Sequence, residues 1–235
     1  MQFWQEFRAP GGRPPYRERY PAAMPDGSAL DLPLRDLSGF AVAGLIANQA
    51  SFAVARRLAG WMTEAARPFA AEVVVGLPSL GQVFAPLVAE ALGHAHWVAP
   101  GWSRKRWYED RLSVPIRSIT SPAERRLWLD PRLLDRLAGR RVLLVDDVIS
   151  TGASARAGLA LLAAADVVPV ALVVAMAQGD RWIGPPGASA GWPASVPPRA
   201  AFATPIFLPS PDGWLPQAGT APHQLCLPPR KDHAA

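Results

Sequence analysis

The chain has 235 residues, half of them hydrophobic and 18% charged, which supplies enough apolar material for a sizeable core and excludes a disordered polyelectrolyte. A single cysteine, Cys226, excludes a disulfide framework and a cysteine-based zinc site, and points to a reducing compartment. The net charge of +5 rests almost wholly on arginine (22 of 24 basic residues), and residues 102–117 alone hold +3, with Arg104, Lys105, Arg106, Arg111 and Arg117 against Glu109 and Asp110.

The opening segment, MQFWQEFRAP, has no basic region followed by an apolar run, so no secretory leader is read there. The longest apolar stretch, Val167–Ala177, is broken by Pro169 and falls short of the roughly 20 residues a membrane span needs. A cytoplasmic protein with no membrane partner is the expectation. Proline then sets the organisation: 6 of the 26 fall in residues 1–33, 12 in 185–235, and only 8 between. Because proline lacks a backbone donor and interrupts helices and central strands, the regular core is expected over 34–184. Residues 1–33 read as an irregular arm. Residues 185–235 read as a Pro-rich extension, with one hairpin across Ala203–Leu208 and Trp214–Leu215 around Pro211-Asp212-Gly213.

Within the core, Phe52, Ala55, Leu58, Ala59 and Met62 recur at helical spacing and predict a helix over 47–66. Glu72–Leu77 is a short apolar run of buried-strand type, Gln82–Leu92 a helix, and His96–Ala99 a strand. Pro100–Arg117 reads as a loop, Leu127–Leu129 as a strand, and Pro131–Leu137 as a short helix with proline at its start. Arg141–Asp146 predicts a strongly buried strand, Ala155–Ala164 a helix, and Val167–Ala175 a further strand. Strands alternating with helices imply an α/β fold, a doubly wound parallel sheet covered on both faces. Ligands of such sheets bind at the carboxyl ends of the strands.

Chemistry concentrates in Val142–Ser154, VLLVDDVISTGAS. A buried strand delivers Asp146 and Asp147 to its carboxyl end, and a short turn with Ser150, Thr151, Gly152 and Ser154 opens a helix. Small hydroxyl residues and glycine at a helix N-terminus suit an anion, while carboxylates suit sugar hydroxyls or a metal. The implied ligand is a phosphorylated sugar. Residues of this kind also cap helices without binding anything, so the whole run carries the signal rather than any one residue.

That run resembles the phosphoribosyl pyrophosphate (PRPP) motif of the type I phosphoribosyltransferases, in which four apolar residues precede two acids, two apolar residues and a small, hydroxyl and glycine loop. Val75–Leu92 is similar to the pyrophosphate loop and following helix of the adenine and xanthine branch: Ser79 and Gly81 match, while Leu80 stands where adenine-type enzymes place Arg, and Pro78 replaces an acid. Arg104-Lys105 matches a pyrophosphate-binding Arg-Lys pair, and Leu34-Arg35-Asp36 resembles a Phe-Arg-Asp segment that covers the base, with Leu34 replacing the stacking Phe. The resemblance covers roughly residues 33–176.

The resemblance implies a type I phosphoribosyltransferase fold with a small hood built from the N-terminal arm and the segment after residue 176. It implies transfer of the 5-phosphoribosyl group from PRPP to a nucleobase, a purine for preference, with release of pyrophosphate and with Mg²⁺ as cofactor. The roles implied are Asp146 and Asp147 at the ribose, Ser150, Thr151, Gly152, Ala153 and Ser154 at the 5′-phosphate, Ser79, Leu80, Gly81, Arg104 and Lys105 at pyrophosphate, and Leu34, Arg35 and Trp182 at the base. No protein metal ligand is assigned. It further implies a cis Pro78–Ser79 peptide, a mobile lid over 106–117, and a homodimer. A PRPP-binding regulator without turnover and a salvage enzyme for a non-purine base both stay open, since Leu80 and Leu34 depart from the enzyme pattern. A nucleic-acid partner, suggested only by Trp102 and Trp107 around the basic run, is not expected. A hydrolase elbow is excluded because two residues separate Gly76 from Ser79, and a P-loop is absent.

Overall fold

A computed structural model describes residues 2–116, 125–184 and 191–228. Its centre is a parallel sheet with strand order β10-β9-β8-β5, formed by β5 (Val73–Gly76), β8 (Val142–Ile149), β9 (Ala171–Gln178) and β10 (Pro198–Thr204). These strands are continuous apolar runs because both faces are covered. The two faces are visible in the alternation along β8: Leu143 and Val145 enter one core cluster, Val142 and Leu144 the other.

The first cluster is closed by α1 (Phe52–Ala66) and α2 (Gly81–Ala91). Ala55, Leu58, Ala59 and Met62 face that core as their spacing predicts, but Phe52 is 81% exposed. The reason is local: Ser51 is the N-cap and accepts from the Val54 amide at 3.2 Å, so the helix begins at Phe52, on its outer face. The second cluster is closed by α4 (Ala153–Ala163), the short α3 (Leu134–Leu137) and a hairpin of β6 (Ser113–Ile116) and β7 (Arg125–Trp128).

A second, antiparallel sheet forms the hood. It combines β1 (Phe7–Arg8), β2 (Arg19–Ala23), β3 (Ala29–Asp36) and β4 (Ala41–Ala43) with β11 (Ile206–Ser210) and β12 (Gly213–Pro216). Chain ends far apart in sequence therefore share one sheet, through the pairing of Ile206 with Val42. Its apolar face, including Leu30, Leu32, Ala43 and Phe207, joins the same cluster as α1 and α2.

Several boundaries differ from the sequence reading. A division after residue 33 falls inside β3, and the arm is built of strands rather than irregular chain. The Pro-rich extension contains the hairpin expected around Pro211-Asp212-Gly213. It also contributes β10 to the central sheet, where Pro198 occupies the first position of the strand. The segment His96–Ala99 makes only the Val98 bridge to Val75. The loop expected at Pro100–Arg117 contains a 3-10 turn and β6; Leu112 and Ser113 are buried, while Arg106, Trp107, Glu109, Asp110 and Arg111 of the expected lid are exposed, and Arg117 lies outside the described residues.

Candidate active site

The carboxyl ends of β5, β8 and β9 converge on one rim. β8 carries Asp146 and Asp147 there, the backbone of Asp146 pairing with Val174 of β9. Asp146 is 4% exposed, and its Oδ1 accepts from the Asp147 amide at 2.9 Å. Burial pushes the Asp146 carboxyl well above the ordinary carboxylate range, and the neighbouring Asp147 charge pushes in the same direction. Burial also raises Asp147. Two adjacent, poorly solvated carboxyls favour whatever brings them positive charge or hydroxyl donors.

α2 is wedged against this pair. A Cβ on Gly81 would lie 2.8 Å from Asp146 Cα and 2.9 Å from Oδ1, so only glycine lets the start of α2 approach. The preceding turn contains a cis Pro78–Ser79 peptide. Gln82 steadies the turn by donating to the Pro100 carbonyl at 2.7 Å, and the Trp102 indole donates to Ser79 Oγ at 3.3 Å. Leu80 is half-buried against the first core cluster and adds no cation.

Beyond β8, Ser150, Thr151 and Gly152 turn the chain into α4. Gly152 is the N-cap at φ +79°, and a Cβ there would lie 3.2 Å from Trp182 Cβ. The Thr151 hydroxyl accepts from the Ala153 amide at 3.4 Å, and no acidic residue occupies the first turn of α4. Amides of Ala153 and Ser154 at the start of this helix suit an anion. Ser150 is held from two sides: its hydroxyl donates to Gln178 Oε1 at 2.6 Å and accepts from Arg181 at 2.6 Å. Gln178 in turn donates to the Ala43 carbonyl of the hood at 2.7 Å, and the Arg181 guanidinium lies over the Phe40 ring of the hood at 5.1 Å.

The expected residues are thus distributed unevenly. Asp146, Asp147, Gly81 and the turn from Ser150 to Ser154 share one rim. Ser79 joins it through the turn before α2, and Arg104 stands beyond Trp102. Lys105 is exposed, its carbonyl accepting from the Tyr108 amide. Leu34 and Arg35 lie on β3, in register with Ala43 and Val42. Trp182, 5% exposed, sits against the turn at Gly152; its indole donates to the Gly179 carbonyl at 3.0 Å and its ring meets Trp192 edge-on. Arg181, Gln178, Arg125 and Arg126 were not anticipated. Arg125-Arg126 was visible as a basic pair, but only the pairing of β6 with β7 brings it beside Trp102 and Arg104.

The phosphoribosyl transferase domain family matches residues 42–186, which takes in β4 through β9 and the whole of this rim. The chain belongs to the phosphoribosyl transferase domain family. Among curated proteins, the orotate phosphoribosyltransferase of Dichelobacter nodosus (strain VCS1703A) is 47% identical over 45 residues, which is 19% of this chain and 20% of that protein. Among solved structures, adenine phosphoribosyltransferase from Rhodothermus marinus DSM 4252 is 22% identical, covers 64% of this chain and 80% of its own, and superposes with a TM-score of 0.49. The Thermoanaerobacter pseudethanolicus ATCC 33223 adenine phosphoribosyltransferase is 19% identical over 53% of this chain and 69% of its own, with a TM-score of 0.46. The phosphoribosyl transferase region ends at residue 186, so β10, β11 and β12 lie beyond it. No helix among the described residues is long and apolar enough to cross a membrane.

Proposed function

We propose that the protein transfers the 5-phosphoribosyl group of PRPP to a nucleobase and releases pyrophosphate. The observation that carries this reading is the adjacent Asp146–Asp147 pair in the last half of β8, with Asp146 buried, followed through the Ser150–Gly152 turn by a helix N-terminus with no acid in its first turn. An acid pair beside an anion cradle matches a ribose whose hydroxyls meet carboxylates while its 5′-phosphate meets amides. Thr151, Gly152, Ala153 and Ser154 would hold the phosphate. Asp146 and Asp147 would accept from the ribose hydroxyls.

In the reaction a base nitrogen forms the new bond to the anomeric carbon, and the bond to pyrophosphate oxygen breaks with its electron pair leaving on pyrophosphate. Positive charge develops on the ribose ring, as in glycoside cleavage. The two carboxylates are aligned in advance to stabilise that charge. The donor set also fits Mg²⁺: two hard carboxylates are present, and no group of three or more metal-ligating side chains occurs among the described residues. An ion held by one or two carboxylates together with substrate phosphates and water is the arrangement Mg²⁺ favours. When bound, it would neutralise charge on the leaving pyrophosphate.

The acceptor taken here is a purine, on the similarity of the Ser79–Gly81 turn to the adenine and xanthine branch. The protein would act in the cytoplasm as a homodimer. The test is pyrophosphate release from PRPP and Mg²⁺ with adenine, hypoxanthine, guanine, xanthine, orotate and uracil in parallel, with Asp147→Asn as control. Release with a purine only is expected. Release with orotate or uracil only would overturn the purine assignment, and PRPP binding without release on any base would favour the regulator.

A further inference from the structure

The hood sheet meets the rim along a seam. Arg35, Val42 and Ile206 occupy matched register positions of β3, β4 and β11, so they share one face of the hood. That face packs on the chain leaving β9, because a Cβ on Gly179 would lie 2.5 Å from Ile206 Cδ1. Two residues further on, Arg181 reaches both sides of the seam. Its guanidinium donates to Ser150 Oγ of the rim at 2.6 Å and lies 5.1 Å from the Phe40 ring centroid of the hood. We propose that Arg181, seconded by Arg35, selects the acceptor base, and that it selects a 6-oxopurine over adenine. The proposal rests on the phosphoribosyl-transfer reading and narrows its purine to one class.

Ser150 is the residue that follows β8, so the seam borders the ribose end of the rim, where an acceptor nitrogen must arrive. Hydrogen bonding there consumes the side-chain acceptors and leaves donors over. Gln178 donates to the Ala43 carbonyl at 2.7 Å, and its Oε1 accepts from Ser150 at 2.6 Å. The Ser150 hydroxyl gives its one proton to Gln178 and accepts from Arg181. Arg181 has five N–H groups and no acceptor atom, and the bond to Ser150 uses one of them. Neither Arg181 nor Arg35 forms an ion pair among the described residues. The flanking Asp180 is exposed, and the Asp36 carboxylate is turned to the Ser38 amide at 2.8 Å. Arg35 lies along the hood, its Nε 3.0 Å from where a Cβ on Gly44 would stand. A ligand edge that meets these cations must therefore offer acceptors. A 6-oxopurine presents O6 and N7, two acceptors that one guanidinium meets with parallel bonds. Adenine puts an amino donor in place of O6, and donor would face donor. Stacking on Phe40 fixes the guanidinium plane, as bidentate recognition requires.

The experiment is calorimetry of the 235-residue chain with inosine 5′-monophosphate (IMP), AMP, orotidine 5′-monophosphate and ribose 5-phosphate, because product binding reads base selection without turnover. Wild-type protein is expected to bind IMP roughly tenfold or more tighter than AMP, as one hydrogen bond to a charged group provides. Arg181→Ala should bring IMP down to the level of AMP and leave AMP and ribose 5-phosphate unchanged. Arg181→Lys should restore part of the preference, and Arg35→Ala should narrow it less than Arg181→Ala does. AMP bound by the wild type as tightly as IMP would overturn the proposal, as would orotidine 5′-monophosphate bound more tightly than IMP. A loss in Arg181→Ala shared equally by IMP, AMP and ribose 5-phosphate would mark a structural role and overturn it too. An Arg181-dependent preference for IMP in a chain that transfers phosphoribose to no base would support the selectivity while defeating the transfer reading.

Discussion

Gly81 and Asp146 are in direct contact across the site, the missing side chain of one making room for the carboxylate of the other. A Cβ on Gly81 would sit 2.9 Å from Asp146 Oδ1 and 2.9 Å from the Val145 carbonyl. Backbone lies on that side, so no side-chain rotation relieves the overlap. Gly81→Ala should therefore shift α2 or Asp146 by a fraction of an ångström or more. Misplacement of about 1 Å costs on the order of 10²-fold in rate. Steady-state kinetics should show that drop in kcat, with far-ultraviolet circular dichroism unchanged.

The acid pair makes a pH-dependent contribution to stability. Because burial raises both carboxyls in the folded protein, the fold binds more protons than the unfolded chain above the ordinary aspartate value of about 3.9. Stability from this pair is then fully present at pH below that value and falls as pH rises through the folded pKa. Asp146→Asn should stabilise the ligand-free protein at pH 7 and give little gain at pH 3.5, while abolishing turnover. Thermal unfolding at the two pH values checks the sign, each kcal/mol moving Tm by roughly 2–4 °C in a chain of this size.

Thr151 tests the phosphate end alone. Its hydroxyl is exposed at the turn and already orients the Ala153 amide. Thr151→Ala removes one hydrogen bond to a charged group, worth about 1.5–3 kcal/mol, or roughly 10- to 150-fold in ribose 5-phosphate affinity. Calorimetry should show that loss with pyrophosphate binding retained.

Gln178 couples the turn at Ser150 to the hood. Its side chain is 7% exposed and joins Ser150 to the Ala43 carbonyl. Gln178→Ala leaves that carbonyl buried without its donor, at a cost of about 1–3 kcal/mol. Urea denaturation should show the destabilisation. The KM for the base should rise as well, because β4 carries the hood strand β3 beside it.

Cys226 should be inert in the folded state. Burial pushes its thiol up to about 12, so almost none is thiolate near neutrality. Alkylation at pH 7.5 should be slow in native protein and fast after denaturation.

The acid pair, the turn from Ser150 to Ser154 and three of the four central strands were legible in the sequence because each lies in one contiguous run; β10 was not, because its segment is proline-rich. VLLVDD reads as a buried strand and STGAS as a turn into a helix without any tertiary information. The hood was only partly legible. Its sheet joins Ala41–Ala43 to Ile206–Phe207, and short strands with proline among them carry little periodicity. The place of Trp182 was not legible, because a tryptophan after a strand reads alike whether it faces a ligand or packs on Trp192. The β6–β7 pairing, with Ile116 opposite Arg125 and Pro115 opposite Arg126, was not legible because nothing in either short segment announces its partner.

The central claim is phosphoribosyl transfer at the Asp146–Asp147 rim, and the most direct measurement is the product. The 235-residue chain incubated with PRPP, Mg²⁺ and the base panel should yield a nucleoside 5′-monophosphate by mass spectrometry, in one-to-one ratio with pyrophosphate, and Asp147→Asn should remove both together. PRPP that binds at this rim yet is recovered intact with every base would contradict the claim.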